Sequence, residues 1–172
     1  MSDNITNTFK EIYAEHNDGI FRFCLVRVSD REQALDLTQE TFLRLWNTLQ
    51  KGEKIENNRA FLFTITRRLI IDWYRKKKSI SLDHMIDDEN IPYDVPDEKS
   101  INIKEFGAEG RFLIEKINSL PPTYRDPVYL RFVEDLSPKE IGKILYISEN
   151  AASVRINRGL EELRKITGYS NK

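Results

Sequence analysis

Apolar residues recur every three or four positions along most of the chain, which is the period of an amphipathic α-helix. Three such segments precede residue 79, and four shorter ones follow residue 107. No segment alternates between apolar and polar residues for long enough to indicate a β-strand. The pattern therefore predicts an all-α protein whose helices fall into two groups.

The residues between the first segments indicate where the helices begin and end. Ser29-Asp30 is a typical helix start, and Lys51-Gly52 is a typical stop with glycine as the cap residue. The helix between them is predicted to bury one side, made of Leu35, Thr38, Phe42, Leu45, Trp46 and Leu49.

The charge distribution separates the two groups of helices. The chain has a net charge of −1, yet residues 1–78 hold 14 Lys/Arg against 11 Asp/Glu, and residues 111–172 hold 11 against 8. Residues 79–110 hold only 2 Lys/Arg against 9 Asp/Glu, together with prolines and no sustained period. We therefore expect two small helical domains, 1–78 and 108–172, joined by a flexible acidic linker at 79–107.

The segment LSPKEIGKILYISENAASVRINRGLEELRK predicts a helix-turn-helix in the second domain. Ser137 begins the first helix as a capping box with Glu140, and Ser148 caps the second helix after a short turn. Ala152 and Ile156 would be buried in this second helix. The side chains left for a DNA major groove are Asn150, Ser153, Val154, Arg155, Asn157 and Arg158. The alternative is an ordinary helical hairpin with a solvated charged side.

Tyr146 occupies an unusual place in this turn. The position often needs a positive φ, which glycine adopts without strain. A bulky residue in this conformation loses about 1 kcal/mol of conformational free energy. Either the turn differs slightly, or packing of the tyrosine ring offsets the cost.

The third helix of the first domain mixes basic and aromatic residues, which suits single-stranded or melted DNA. Its cations include Arg67, Arg68, Arg75 and the run Lys76, Lys77 and Lys78, among Phe61, Phe63, Trp73 and Tyr74. The preceding loop, EKIENNRA, adds Asn58 and Arg59, which could hold an extruded base. The alternative is that Trp73 and the phenylalanines are core and the terminal lysines only complement the helix dipole.

The side of the second helix opposite its apolar side carries Asp36, Gln39, Glu40, Leu43 and Asn47. An exposed leucine within a polar stripe is typical of a surface for a partner helix, with the acids pairing across it. A solvated surface with one stray leucine is the alternative.

The sequence contains few residues that indicate a catalytic site or a particular cellular compartment. Cys24 is the single cysteine and is expected to be a buried thiol in a reducing compartment. The sequence has no nucleophile at a suggestive spacing from a histidine, no phosphate-binding glycine loop and no Cys/His cluster for zinc. We therefore expect that the protein is not an enzyme and needs neither a cofactor nor a metal. Asp87, Asp88 and Glu89 could bind a hard cation, but acids in a linker are usually solvated. Without a signal peptide or an apolar run of membrane length, a soluble cytoplasmic protein without membrane insertion is expected.

Three motifs taken in order carry a resemblance. DLTQETFLRLW, RAFLFTITRRLIIDWYRKKK and LPPTYRDPVYLRFVEDLSPKEIGKIL followed by the helix-turn-helix resemble an extracytoplasmic-function (ECF) sigma factor of bacterial RNA polymerase. The resemblance covers residues 9–78 and 111–165. It implies a factor that binds core polymerase, recognises a promoter and opens its −10 element to start transcription.

The resemblance also implies roles for particular residues. The side of the second helix that carries Leu43 would dock on the β′ clamp coiled coil, and the β flap would be a further polymerase contact. The −10 element would be recognised and opened by Asn58, Arg59, Phe61, Arg67, Arg68 and Arg75. The −35 duplex would face Asn150, Ser153, Val154, Arg155, Asn157 and Arg158. Such proteins are commonly held inactive by an anti-sigma partner, and their linker runs through the polymerase.

Several residues depart from the family pattern. Arg68 stands where the family usually has Asn, Tyr146 replaces a turn glycine, and Pro127 falls inside a predicted helix. Ser153 and Val154 replace a usual basic residue and a usual serine. Two other functions stay open at this point: a stand-alone helix-turn-helix regulator that acts as a dimer, and, less favoured, a metal-dependent nuclease.

Overall fold

The structure, a computed structural model, describes residues 2–79 and 106–168, and within these ranges every regular element is an α-helix. The all-α prediction is confirmed. The chain divides into two compact units, residues 1–84 and 85–172. Residues 80–105, which hold nearly all of the predicted acidic linker, lie outside the described ranges.

The first unit contains α1 (Ser2–Val28), α2 (Arg31–Gln50) and α3 (Asn58–Ser79). The predicted boundary between α1 and α2 is confirmed, because the Asp30 carboxylate accepts a hydrogen bond from the Gln33 amide at 3.1 Å. α2 ends at its C-cap Lys51, followed by Gly52 at φ 72°. Glycine adopts this left-handed conformation at no steric cost, so the predicted stop is confirmed. The predicted cap residue is wrong by one position, because the C-cap is Lys51 and Gly52 follows it.

The core of the first unit is formed by apolar side chains that all three helices contribute. Ile20, Phe23, Cys24, Leu45 and Leu62 are completely buried. The prediction of a buried thiol at Cys24 is confirmed, and burial raises its pKa to about 12. The thiol is therefore protonated at neutral pH and unreactive as a nucleophile.

One predicted core position on α2 is wrong. Leu35 is 40% exposed, whereas Leu37 is buried together with Thr38, Thr41 and other residues on that side of the helix. Successive residues of an α-helix are about 100° apart, so this buried side turns Leu35 toward solvent. The apolar pattern alone placed the centre of the buried side slightly off.

Polar side chains also join α2 to α3. The hydroxyls of Thr41 and Thr66 lie 3.2 Å apart in the core, where one donates to the other, and each also lies within hydrogen-bond distance of the carbonyl oxygen four residues earlier in its own helix. At the start of α2, the Gln33 side-chain oxygen accepts a hydrogen bond from the Trp73 indole at 3.0 Å. Two hydrogen-bonded pairs therefore fix how α3 lies along α2.

The second unit contains α4 (Ala108–Asn118), α5 (Pro122–Phe132), α6 (Pro138–Leu145) and α7 (Glu149–Thr167). Pro127 is the sixth residue of α5 and is buried. It lies beyond the first turn, so it removes the hydrogen bond that an amide at this position would give to the Thr123 carbonyl. The Arg125 side chain, also buried, donates from Nε to the Leu120 carbonyl at 2.6 Å and secures the start of this helix.

Two glycines allow the helices of the second unit to approach closely. A Cβ atom added at Gly159 of α7 would lie 2.4 Å from Val128 Cγ2 and 3.0 Å from Tyr124 Cβ, both on α5. A Cβ atom added at Gly142 of α6 would lie 2.8 Å from the Ile147 carbonyl oxygen in the turn. The distances of 2.4 Å and 2.8 Å are shorter than real Cβ contacts, so a side chain at either position would force its neighbours to move.

The helix-turn-helix has the predicted caps. The Ser137 hydroxyl accepts from the Glu140 amide at 3.2 Å while the Glu140 carboxylate accepts from the Ser137 amide at 2.8 Å. Ser148 caps α7 by accepting from the Ala151 amide at 3.0 Å. The predicted capping box and the predicted N-cap are confirmed.

Tyr146 takes the left-handed conformation that the turn requires, with φ 56° and ψ 40°. Its amide donates to the Gly142 carbonyl, and so does the Ile147 amide at 3.0 Å. The side chain is 61% exposed, so burial of the ring does little to offset the backbone cost. Of the two expectations for this residue, an altered turn is wrong, and compensation by packing receives little support.

We therefore expect Tyr146→Gly to stabilise the second unit by up to about 1 kcal/mol, because glycine adopts φ 56° without strain. The measurement is chemical denaturation of the full chain followed by circular dichroism. Tyr146→Ala is the matched control, since it removes the ring and keeps the strained φ. An equal gain in both variants would locate the effect in the ring and contradict the backbone explanation.

Candidate functional site

The α2 outer face consists of the five residues predicted to meet a partner helix: Asp36, Gln39, Glu40, Leu43 and Asn47. All five lie on the side of α2 away from its buried residues. Leu43 is 53% exposed and is the large apolar side chain among them. The helix thus presents one apolar contact within a polar and acidic stripe, which suits a helix with matching basic residues.

Glu40 already has a partner on its own helix. The Arg44 Nε donates to the Glu40 carboxylate at 2.9 Å, and both side chains are about half exposed. An exposed pair at this spacing contributes only a few tenths of a kcal/mol, so a binding partner can replace it at little cost. Its pairing with Arg44 therefore leaves Glu40 able to meet an incoming cation.

A cluster of aromatic rings holds α1 against α2 beside this face. Phe9 packs against Trp46 with ring centroids 5.3 Å apart, and Tyr13 packs against Phe42 at 4.7 Å. Both contacts are edge-to-face, the favoured geometry of aromatic pairs. The α2 outer face is consequently carried on a helix whose opposite side is firmly packed.

The candidate −10 residues divide into two sets on α3. Phe61, Arg68 and Arg75 follow one another at intervals of seven residues and form what we call the α3 outer line. Arg68 and Arg75 are exposed, and Phe61 is half-buried. Oδ1 of Asp72 lies 4.0 Å from Nη1 of Arg75, one helical turn away, so a negative charge partly balances the positive charge of the line. An aromatic ring followed by two cations along one side is an arrangement that fits an unpaired strand.

The other three residues lie elsewhere on α3. Asn58 and Arg59 were predicted in the preceding loop, but they form the first turn of α3 and are half-buried. The first turn of α3 is instead capped by Asn57, whose side-chain oxygen accepts a hydrogen bond from the Ala60 amide at 2.9 Å. Arg67 is half-buried and lies off the outer line. The structure therefore does not bring all six residues to one surface.

His16 of α1 lies near the start of α3. Burial lowers the pKa of His16, the Glu15 carboxylate opposes this effect, and the charge of Arg59 lowers the pKa further. His16 is therefore neutral at pH 7 and adds no second positive charge beside Arg59. The sequence gave no sign of this proximity.

The aromatic residues of α3 have different roles. Phe63 and Tyr74 are buried, and the Tyr74 hydroxyl donates to the Arg27 carbonyl. Trp73 is half-buried, and its indole N–H donates a hydrogen bond to the Gln33 side chain. The Lys77 ammonium covers the ring, with Nζ 5.1 Å from the indole centroid. The core interpretation is confirmed for Phe63, whereas Trp73 and Phe61 are only half-buried, and Phe61 stays available for a ligand.

The six candidate −35 residues on α7 do not all share one side. Asn150, Val154, Asn157 and Arg158 are exposed and form the α7 outer face, opposite the buried Ala152 and Ile156. The other two candidates, Ser153 and Arg155, are half-buried. At about 100° per residue, these two lie at opposite edges of the face. The outer face therefore has four central members and two flanking ones.

Sequence reasoning missed the residues that hold these surfaces in place. Gln33, Asn57, Gly142 and Gly159 fix the ends and contacts of the helices that carry the candidate side chains. A glycine within a helical pattern often marks close packing, so Gly159 had a readable signal. Gln33 had none, because its bond to Trp73 joins residues 40 positions apart.

Along residues 2–79 and 106–168, no helix is both long and apolar enough to cross a membrane. In the same part of the chain, no three His, Cys, Asp or Glu side chains gather where they could hold a metal ion. Asp87, Asp88 and Glu89 lie outside these ranges, so their expected solvation stays a prediction.

Comparison with known proteins identifies the family. Residues 12–80 match the family described as Sigma-70 region 2, and residues 113–163 match Sigma-70, region 4. The ECF RNA polymerase sigma factor SigM of Bacillus subtilis (strain 168) is 30% identical over 144 residues, which cover 83% of this chain and 84% of SigM. The chain belongs to the ECF sigma factor family. The predicted resemblance is thereby confirmed, and a dimeric stand-alone regulator is not favoured.

Other sigma factors agree with this assignment. The ECF RNA polymerase sigma factor SigX of Bacillus subtilis (strain 168) is 28% identical over 167 residues, covering 92% of this chain and 82% of SigX. The fold is similar to that of the sigma factor RpoE from Bartonella quintana, solved in complex with the anti-sigma factor NepR. That match has a TM-score of 0.70 and 20% identity and covers 95% of this chain and 99% of RpoE. Sigma factors are non-catalytic initiation factors, and this is the class to which the chain belongs.

Proposed function

We propose that this sigma factor binds core RNA polymerase through the α2 outer face and recognises promoter DNA through the α3 outer line and the α7 outer face. The observation that carries the proposal is that each surface carries exposed side chains and lies within a stretch matched by a sigma region. Residues 1–78 then serve core and −10 binding, and residues 108–172 serve −35 binding.

The α2 outer face supplies the contact with polymerase. Leu43 enters an apolar site on a helix of the β′ clamp, and Asp36 and Glu40 meet basic residues beside it. Glu40 exchanges its pairing with Arg44 for the new one at little cost, since the Glu40–Arg44 pair is exposed. The β flap contacts the second unit in the same complex.

The α3 outer line supplies the contact with the opened −10 element. Phe61 stacks on an unpaired base, while Arg68 and Arg75 follow the phosphates of the same strand. Asn58 and Arg59, in the first turn of α3, hold a base that leaves the stack. Arg67 contributes to the charge of the helix from its other side.

The α7 outer face supplies the contact with the −35 duplex. Asn150, Val154, Asn157 and Arg158 enter the major groove, and Ser153 and Arg155 reach the groove walls from the two edges. Arg158 is the residue best suited to guanine or phosphate because it is exposed and positively charged. The factor acts in the cytoplasm with its polymerase, and an anti-sigma protein holds it inactive by covering the α2 outer face.

The two units act together because they belong to one chain. The second DNA contact becomes intramolecular once the first is made, so weak modules gain effective concentration on the polymerase. The modest net charge of −1 fits this arrangement, since polymerase supplies most of the attraction for phosphate.

We therefore expect the purified chain to bind a promoter duplex at least about tenfold more weakly than the holoenzyme does. The measurement is a band-shift titration at one fixed salt concentration, with and without core polymerase, against a scrambled duplex. Core polymerase alone is the control. Equal affinity of the free chain and the holoenzyme would reject the proposed function.

A further inference from the structure

The α7 outer face contains one apolar side chain among polar ones. Val154 is 38% exposed, and its neighbours one turn away, Asn150, Asn157 and Arg158, are all exposed as well. Ala152 and Ile156 are buried on the other side of the helix and hold it against the rest of the unit. A valine at the centre of this face therefore points to the same side as the polar residues expected in the groove.

Val154 is also held rigidly. A β-branched side chain in a helix has one strongly preferred χ1 rotamer, so its two methyl groups keep a fixed direction. The helix itself is fixed at its start by the Ser148 cap and, further along, by the close approach of Gly159 to α5. Little conformational entropy is lost when such a methyl group meets a ligand.

The major groove offers few apolar features. Each base pair presents hydrogen-bond donors and acceptors there, and the C5 methyl of thymine is the apolar group that distinguishes T. Val154 cannot satisfy a donor or an acceptor, so placing it against any other base edge would leave polar groups unpaired. We propose that Val154 contacts a thymine methyl in the −35 element and makes that position specific for T.

The inference rests on the proposed function and is tested with holoenzyme and a promoter duplex selected from a randomised library. Each thymine of the upstream element is replaced in turn by deoxyuridine, which keeps the base pair and removes only the C5 methyl. We expect one replacement to weaken binding of the parent holoenzyme by about three- to fivefold, the effect of one buried methyl group. In Val154→Ala holoenzyme the same replacement should have no effect.

Ile166→Ala is the matched control, because Ile166 is another exposed apolar residue of α7 but lies in its last turn. This variant should keep the full sensitivity to deoxyuridine. The inference is overturned if no thymine of a protected upstream element responds, or if Val154→Ala responds as the parent does. A holoenzyme that protects no upstream element at all would instead reject the proposed function of α7.

Discussion

Leu43→Arg is expected to weaken binding of the chain to core RNA polymerase by roughly 100-fold, the effect of losing a central apolar contact. Leu43 is the apolar member of an otherwise polar and acidic face. An arginine there would bring a charge into the apolar part of the interface without a partner, which costs several kcal/mol. Transcription from a promoter that depends on this factor should fall in parallel.

The substitution should leave the first unit folded. Leu43 is 53% exposed, and arginine is about as good a helix former as leucine, so neither the core nor α2 is disturbed. The measurement is a titration of labelled core polymerase, with circular dichroism of the free variant as the folding check. Ala14→Arg is the matched control: it adds the same charge at an exposed position of another helix, α1.

The outcome separates two functions. A stand-alone regulator would tolerate Leu43→Arg, since polymerase docking through α2 forms no part of its action. Unchanged polymerase affinity in Leu43→Arg would therefore remove the α2 outer face from the proposed function. Equal losses in Leu43→Arg and Ala14→Arg would show a general effect of added charge rather than a contact at Leu43.

Gly159→Ala is expected to destabilise the second unit by about 2–3 kcal/mol, an effect at the upper end for one added methyl group. The new Cβ would lie 2.4 Å from Val128 Cγ2, and Val128 is completely buried. α5 and α7 can relieve the overlap only by moving apart, which opens the core between them. The usual gain of alanine over glycine within a helix, up to about 1 kcal/mol, is too small to compensate.

The two tryptophans make this effect easy to assign to one unit. Trp46 and Trp73 both belong to the first unit, so tryptophan fluorescence reports on its unfolding. Circular dichroism reports on the helices of both units. We expect the Gly159→Ala chain to show an earlier helix transition by circular dichroism with an unchanged fluorescence transition.

Gly110→Ala is the matched control for this prediction. The nearest atom to an added Cβ there is Phe106 Cβ at 3.3 Å, outside the tightly packed helix pair. Its stability should stay within about 1 kcal/mol of the parent. A Gly159→Ala chain as stable as Gly110→Ala would contradict the close approach of α5 and α7.

The helix boundaries were predictable because their causes are local. Asp30, Ser137 and Ser148 each cap a helix through an amide three residues away, and such a spacing can be read from the sequence. The candidate side chains of the α2 outer face were predictable for the same reason, since a period of 3.6 residues separates a polar side from an apolar one. Leu35 shows the limit, because periodicity locates a buried side only to within a residue or so.

Properties that depend on residues far apart in the chain were not predictable. The residues next to Trp73 in the sequence did not indicate its hydrogen bond to Gln33. Those next to Gly159 did not indicate that Val128 and Tyr124 pack against it. The split of the candidate −10 residues between the α3 outer line and the half-buried Asn58, Arg59 and Arg67 followed from where α3 begins and how it packs.

By itself, the sequence determined the helical class, the capped helix-turn-helix and the family, because each depends on residue types at short, regular spacings. The tertiary structure decided which candidate side chains share a surface, that Tyr146 adopts a left-handed conformation with its ring mostly exposed, and which glycines lie too close to a neighbouring element to gain a Cβ atom without a shift. Those outcomes depend on contacts between helices, and the distances across such contacts arise only when the chain is packed.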